Sequence, residues 1–430
     1  MIRDALILQK RELEKKLEEP YGEREISSRK FENTMIKVII GPRRAGKSFF
    51  AMHALARLGT FGYVNFDDEK LVNVKDYDEI VDTIKSLYKN PEYLLFDEIQ
   101  NLPEWELFVN RMQRQDYNLI ITGSNANLLS KELATHLTGR HLLIVLFPFS
   151  FREMIALEKK ELTSNEIKQR LYTYINNGGY PEPAIKNMDY KEYISTLFNA
   201  ILYKDIIKRF NIRFITGIED LALYLISNIA KEFSYGTLSK VTKCKSSHTI
   251  EKYISYLEEA FLFFELHKFS FKVKEQISSN KKIYCFDNGL INAKAFKVSQ
   301  DLGRVYENTV AIELKRMAMQ QHISVYYWKS PSQEEVDFVI KEGTKVKELI
   351  QVCYKSTDHK TRQREVSALL RAGRLLKCKN LTIITESKEG AKKESWFGMK
   401  DMIHEVPLWK WLLGKRIDGK GNYALSFQKK

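Results

Sequence analysis

Residues 41–48 read Gly41-Pro42-Arg43-Arg44-Ala45-Gly46-Lys47-Ser48. Glycines separated by four residues let a backbone curl until its N–H groups converge on an anion. The Lys-Ser pair that follows supplies a phosphate-facing ammonium and a hydroxyl ligand for Mg²⁺. The flanks give this spacing its meaning. Residues 35–40 are an apolar, strand-like run, and residues 48–56 open a helix whose N-terminus adds to the anion nest. Strand, loop and helix together predict a nucleoside triphosphate site. Gly41, Pro42, Arg43, Arg44, Ala45, Gly46, Lys47 and Ser48 would line the phosphates, with Lys47 on the β- and γ-phosphates and Ser48 on the metal.

Downstream, Tyr93-Leu94-Leu95-Phe96 has the character of a buried parallel strand and ends in Asp97-Glu98. At the carboxyl end of such a strand Asp97 is placed to hold the metal, and Glu98 to polarise an attacking water as general base. Hydrolysis by water is therefore expected over transfer to a substrate hydroxyl. No Asn-Lys-x-Asp guanine-reading motif is present, which disfavours GTP, and a single phosphate loop disfavours a two-core helicase.

The elements that must position these groups alternate along the chain. After the first helix come strand 61–66, a helix near 76–88, the Asp-Glu strand, a helix near 104–115, strand 118–125 and strand 141–146. Strands alternating with helices over short links predict an α/β core with a parallel sheet covered on both faces. Ligands of such sheets sit at the carboxyl ends of the strands. There Lys47 and Asp97 fall, together with the polar pair Ser124-Asn125, placed to touch the γ-phosphate or the lytic water.

The stretches Gly41–Ser48, Tyr63–Glu69, Leu95–Gln100, Ile121–Asn125, Leu137–His141 and Leu146–Glu153 resemble the AAA+ ATPases often called archaeal ATPases. The resemblance covers roughly residues 30–380. It implies an ATPase core, a helical lid region, a winged helix and a C-terminal domain similar to restriction-endonuclease folds. It also implies that Ser124 or Asn125 is the sensor, and that Arg140 acts either in trans, across a subunit boundary, or as an internal sensing arginine. ATP and Mg²⁺ are the implied cofactors and a homo-oligomer is an implied assembly. The corresponding domain boundaries are 1–30 (N-terminal helix), 31–160 (ATPase core), 161–215 (lid), 216–290 (winged helix) and 291–430 (nuclease-like domain).

The 430 residues, 44% of them hydrophobic, are enough for several packed domains, and the formal charge of +14 favours a polyanionic partner such as nucleic acid. Cys244, Cys285, Cys353 and Cys378 lack C-x-x-C spacing and read as reduced thiols of a cytoplasmic protein rather than zinc ligands. No apolar run is long enough to span a membrane.

In the middle third, helix 218–230, a short second helix near 233–241 and a third over 250–260 precede ribbon candidates 261–271 and 282–286, the pattern of a winged helix. Lys240, Lys243, Lys245, His248 and Lys252 lie at or before the third helix. They suit DNA phosphates better than bases, because no Arg/Asn/Gln cluster accompanies them. Farther on, Asp337 and residues 348–355 sit where the similar nuclease folds carry an Asp and then Glu-x-Lys. Here the second motif reads Gln351-Val352-Cys353. A neutral amide is a poor Mg²⁺ ligand, and strand alternation turns Glu348 to the opposite face. The leading reading is an ATP-hydrolysing switch or remodeller acting on DNA without cutting it. The alternatives are a nucleotide-gated signalling or defence switch acting through protein partners, and an ATP-dependent nuclease.

Overall fold

Five short apolar segments build the first sheet, and β1 (Ile36–Ile40) is buried at every position, as a strand covered on both faces must be. The computed structural model describes residues 2–72, 74–123, 140–244, 246–296, 301–354, 359–417 and 423–425. The chain forms two compact units. The first comprises Met1–Phe149, Tyr180–Met188 and Glu259–Phe261; the second comprises Ser150–Gly179, Asp189–Glu258 and Leu262–Lys430.

In the first unit α1 (Ile2–Glu18) precedes β1, then α2 (Lys47–Leu58), β2 (Phe61–Asn65), α3 (Tyr77–Tyr88), β3 (Tyr93–Asp97), α4 (Trp105–Arg114), β4 (Asn118–Gly123) and β5 (His141–Val145) follow. The strand order is β2-β3-β4-β1-β5 and every pairing is parallel. One strand, β4, therefore lies between the strand entering the phosphate loop and the strand ending in Asp97. Leu13 of α1 and Phe50, Ala51 and Leu55 of α2 share a core with Ile39, Tyr63, Leu95 and Ile120 of the sheet. Gln9 of α1 also donates to the Asn65 carbonyl (3.1 Å) and to Asp68 (2.9 Å), fixing the helix against the end of β2. Asp76 caps α3 by accepting from the Asp78 and Glu79 amides.

The second unit begins with α5 (Phe151–Ala156) and α6 (Ser164–Asn177), each opened by a capping box, Ser150 with Glu153 and Thr163 with Glu166. The short α7 (Pro181–Lys186) belongs to the first unit. Next come α8 (Tyr190–Ala200) and a π-helical stretch, Ile201–Lys208, that hydrophobic periodicity does not reveal. Then α9 (Ile215–Ser227), β6 (Glu232–Phe233), α10 (Tyr235–Val241), α11 (Ser247–Glu259), β7 (Phe263–His267), α12 (Val273–Ser278) and β8 (Lys281–Cys285) follow, with an antiparallel sheet ordered β6-β8-β7. The ribbon is shorter than the apolar run 261–271. Phe261 has a φ of 55°, a left-handed conformation that cannot join a ladder, so the strand starts at Phe263.

After α13 (Asn288–Lys294), α14 (Leu302–Gln320) leads into β9 (Ile323–Lys329), β10 (Glu335–Glu342), β11 (Lys345–Cys353), α15 (His359–Leu376), β12 (Leu381–Thr385), β13 (Gly390–Trp396) and β14 (Met399–Pro407). The sheet order is β13-β14-β12-β11-β10-β9. The β9–β10–β11 pairings are antiparallel, β11–β12 and β12–β14 are parallel, and β13 runs antiparallel to β14. On β11, Gln351 accepts from the Asp337 amide of β10 while Glu348 accepts from the Thr382 hydroxyl of β12. Among the described residues no helix is long and apolar enough to cross a membrane.

Gly41 is the position where the fold and the loop meet. Its φ is 151°, and a Cβ there would lie 2.0 Å from the Leu146 carbonyl oxygen, which is backbone and cannot swing away. Gly41→Ala is expected to cost roughly 1–3 kcal/mol in urea unfolding. Gly59→Ala should cost less, because its φ of 172° is ordinary extended backbone and its nearest neighbour is the flexible end of Glu92.

Candidate active site

The phosphate loop owes its curl to three left-handed positions: Gly41, Arg44 at φ 64° and Gly46 at φ 87°. Lys47, nearly buried, turns its ammonium back across the loop onto the carbonyls of Gly41 (3.1 Å) and Pro42 (3.0 Å). The charge is thereby held over the nest into which the backbone amides open. Ser48, in the first turn of α2, donates to Asp97 Oδ1 at 2.7 Å.

Asp97 is the hub. The same oxygen also accepts from the Thr122 hydroxyl at the end of β4, and Oδ2 accepts from the Tyr63 phenol of β2 at 3.2 Å. Burial and the facing Asp97 carboxylate hold Tyr63 far above the usual tyrosine range, so it remains a donor. Glu98 follows in a left-handed conformation (φ 51°), its amide donating to Thr122 Oγ1 at 3.1 Å and its carboxylate accepting from Gln100. That geometry turns Glu98 out of the strand direction and into the cavity. Burial raises its proton affinity above the ordinary carboxylate range, with the Lys47 ammonium opposing the rise.

The cavity encloses about 480 Å³ and is lined by the loop from Arg43 to Phe49, by Asp67 and Glu98, by residues of the 16–24 segment, and by Pro181 to Lys186 of α7. Arg44 reaches Glu182 of α7 at 3.4 Å; both are partly exposed, so the pair adds little stability. Beside the loop, Tyr21 stacks on His53 of α2 at 4.1 Å and 12°.

The structure thus brings together Gly41 through Ser48, Asp97 and Glu98. Ser124 and Asn125 lie outside the described residues. Arg140 is brought elsewhere. Its carbonyl accepts from the Ile36 amide, and the β1–β5 register pairs Ile36 with His141 and Ile40 with Val145. Arg140 thus sits at the amino end of the sheet, roughly 17 Å of strand away from the loop. The internal-sensor role expected for it is corrected on that ground: strand polarity puts it at the wrong end of β5. In the second unit, Lys240, Lys243, His248 and Lys252 are all exposed on α10, α11 and the turn between them, with Glu251 3.7 Å from His248. Lys245 lies outside the described residues.

Sequence reasoning missed Tyr63, Thr122, Gln100 and the 16–24 segment. Register could have found the first two. Pairing the carboxyl ends of β2, β3 and β4 sets any polar side chain near those ends beside Asp97. Tyr63→Phe leaves one charged oxygen without a donor and is expected to lower stability by about 1.5–3 kcal/mol in denaturant titration with an unchanged m-value.

Residues 33–155 match a family model described as an AAA domain, and 168–301 and 302–409 each match a domain of unknown function. The chain is 36% identical over 399 residues to an uncharacterized protein of Methanocaldococcus jannaschii, covering 88% of both. It is 32% identical over 328 residues to an uncharacterized protein of Haemophilus influenzae, covering 72% of this chain and 80% of that one. Among solved structures, the Walker-type ATPase of Pyrococcus abyssi is similar at a TM-score of 0.44 and 16% identity, over 64% of this chain and 95% of that one. AMPPCP-bound DnaA from Aquifex aeolicus is similar at 0.24 and 16%, over 60% and 88%. With a parallel sheet that carries the phosphate loop, the AAA-domain match over that sheet and a relative aligned along most of its length, the chain belongs to the archaeal-type AAA+ ATPases.

Proposed function

We propose that this chain hydrolyses ATP to ADP and phosphate in the loop cavity and acts as a nucleotide-driven switch on DNA. The observation that carries the first half is that Lys47, Ser48 and Glu98 line one cavity, with the Ser48 hydroxyl 2.7 Å from the Asp97 carboxylate behind it. A hydroxyl and a carboxylate are hard oxygen donors suited to Mg²⁺. These two residues would hold the ion, which supplies charge neutralisation at the β- and γ-phosphate oxygens.

The chain's own groups do the rest. Lys47 exchanges its two loop carbonyls for phosphate oxygens. Tyr63 and Thr122 fix the orientation of Asp97 so that it does not rotate as the ligand arrives. Glu98 accepts the proton of the attacking water, and its raised proton affinity makes it a stronger base than an exposed carboxylate.

Lys47→Ala should abolish nucleotide binding measured with a fluorescent ATP analogue. Glu98→Gln, which keeps shape but loses the base, should bind normally and turn over about 10²–10⁴-fold more slowly. The pH profile follows from the sign of the Glu98 shift. The active form is deprotonated, so turnover falls as pH drops through a pKa displaced upward. The acid limb should lie above the ordinary carboxylate range and be missing from the residual activity of Glu98→Gln. Wild-type turnover in Glu98→Gln would remove the residue from the mechanism.

With its position at the amino end of β5, Arg140 can serve phosphoryl transfer only for a neighbouring copy, and we assign it that role in a homo-oligomer. Specific activity should then rise with protein concentration, and Arg140→Ala should remove the rise. Activity flat on dilution, with Arg140→Ala fully active, would overturn the assignment.

The DNA half rests on the helix–strand–helix–helix–strand–helix–strand order from α9 to β8 and on the exposed Lys240, Lys243 and Lys252. Contacts to about 5 phosphates would give a slope of log affinity against log salt near −4 to −5. Replacing Lys243 and Lys252 together should flatten that slope. Association that is independent of salt, or absent, would assign this unit to protein partners.

A further inference from the structure

Lys282 of β8 carries a charge into the interior of the second unit. Its side chain is 2% exposed, yet its ammonium lies 2.9 Å from Glu307 of α14, 2.5 Å from Glu335 and 3.4 Å from Asp337 of β10. Tyr284 donates to the same Glu307 oxygen at 2.7 Å. Three carboxylates that converge on one buried point, Glu335 from a partly exposed position, repel one another unless a cation stands among them. The sequence resemblance to nuclease folds would give the strand carboxylate at the Asp337 position to a divalent cation.

The remaining donors do not fit such an ion. The Gln351 side-chain oxygen is engaged by the Asp337 amide at 3.2 Å, and Asp337 Oδ2 by the Val352 amide at 2.9 Å. Cys353 is buried, and burial pushes its thiol up to about 11, so it stays neutral. Among the described residues no cluster of three or more His, Cys, Asp and Glu is arranged to hold a metal.

We propose that the Lys282 ammonium is the resident cation of this carboxylate cluster, so that a position of divalent-metal chemistry has become an internal ion lock that pins β8 to α14 and β10. Even with the ammonium present, burial and the Glu307 carboxylate raise the Asp337 carboxyl above its ordinary range. This inference rests on the non-cutting reading of the domain and does not depend on ATP turnover or DNA binding.

The test is a Mn²⁺ titration of the full chain, nucleotide-free, followed by electron paramagnetic resonance and by Tm, in a Ser48→Ala background that weakens the core's own ion position. The parent should take up no ion that Asp337→Asn removes. Lys282→Ala should gain one saturable Mn²⁺ per chain, with a matching rise in Tm, and Asp337→Asn should abolish the gain. Asp337-dependent Mn²⁺ uptake by the parent would overturn the proposal. So would a Lys282→Ala variant as stable as the parent that binds no ion. If Lys282→Ala does not fold, Lys282→Arg decides. Retained stability shows that the position requires a cation, and collapse like that of alanine shows that it requires only the lysine's shape.

Discussion

Everything in the first unit's chemistry depends on how Asp97 is held. One carboxylate, buried at the end of β3, accepts from Ser48 of α2, Thr122 of β4 and Tyr63 of β2. Three separate elements are thereby tied to a single point. A buried charge so satisfied costs little, whereas losing any one donor leaves the full desolvation penalty of an ionised group in place. The phosphate loop itself contributes no comparable anchor. Its left-handed residues set its curl, but its position relative to the carboxylates comes from the Ser48–Asp97 bond. Sheet order makes that bond attainable: with β4 between β1 and β3, the first residues of α2 come within reach of the end of β3.

The same sheet decides what Arg140 can do. A parallel sheet has two chemically different ends, and only the carboxyl end receives the helix N-termini and the loop. An arginine entering β5 stands at the other end. Strand direction thus separates it from the phosphate loop of its own sheet.

Legibility in the sequence tracked how local each constraint is. The phosphate loop and the Asp97-Glu98 pair are contiguous strings flanked by strong apolar patterns, and they were readable outright. Tyr63 and Thr122 join Asp97 only through strand register, a long-range property that single-sequence periodicity does not carry. The end of the ribbon at Phe263 was hidden for a different reason. Phe261 looks like one more apolar strand residue, and only its left-handed backbone excludes it. In the C-terminal domain the burial of Lys282 was not legible, because Lys281-Lys282 in a ribbon reads as exposed charge. Alternation turns adjacent lysines to opposite faces, but β8 is buried from Lys282 through Cys285, so alternation alone does not single out Lys282.

Lys282 and Lys47 show the same side chain used in opposite ways. Lys47 donates to two neutral loop carbonyls, partners that an incoming polyphosphate can replace. Lys282 is held by three carboxylates, and removing it would leave them facing one another in a medium that screens poorly. The first arrangement is poised for exchange and the second is committed. That contrast separates a lysine placed to meet a ligand from one committed to an internal ion cluster. It follows from the chemistry of the partners rather than from the lysine, which both sites share.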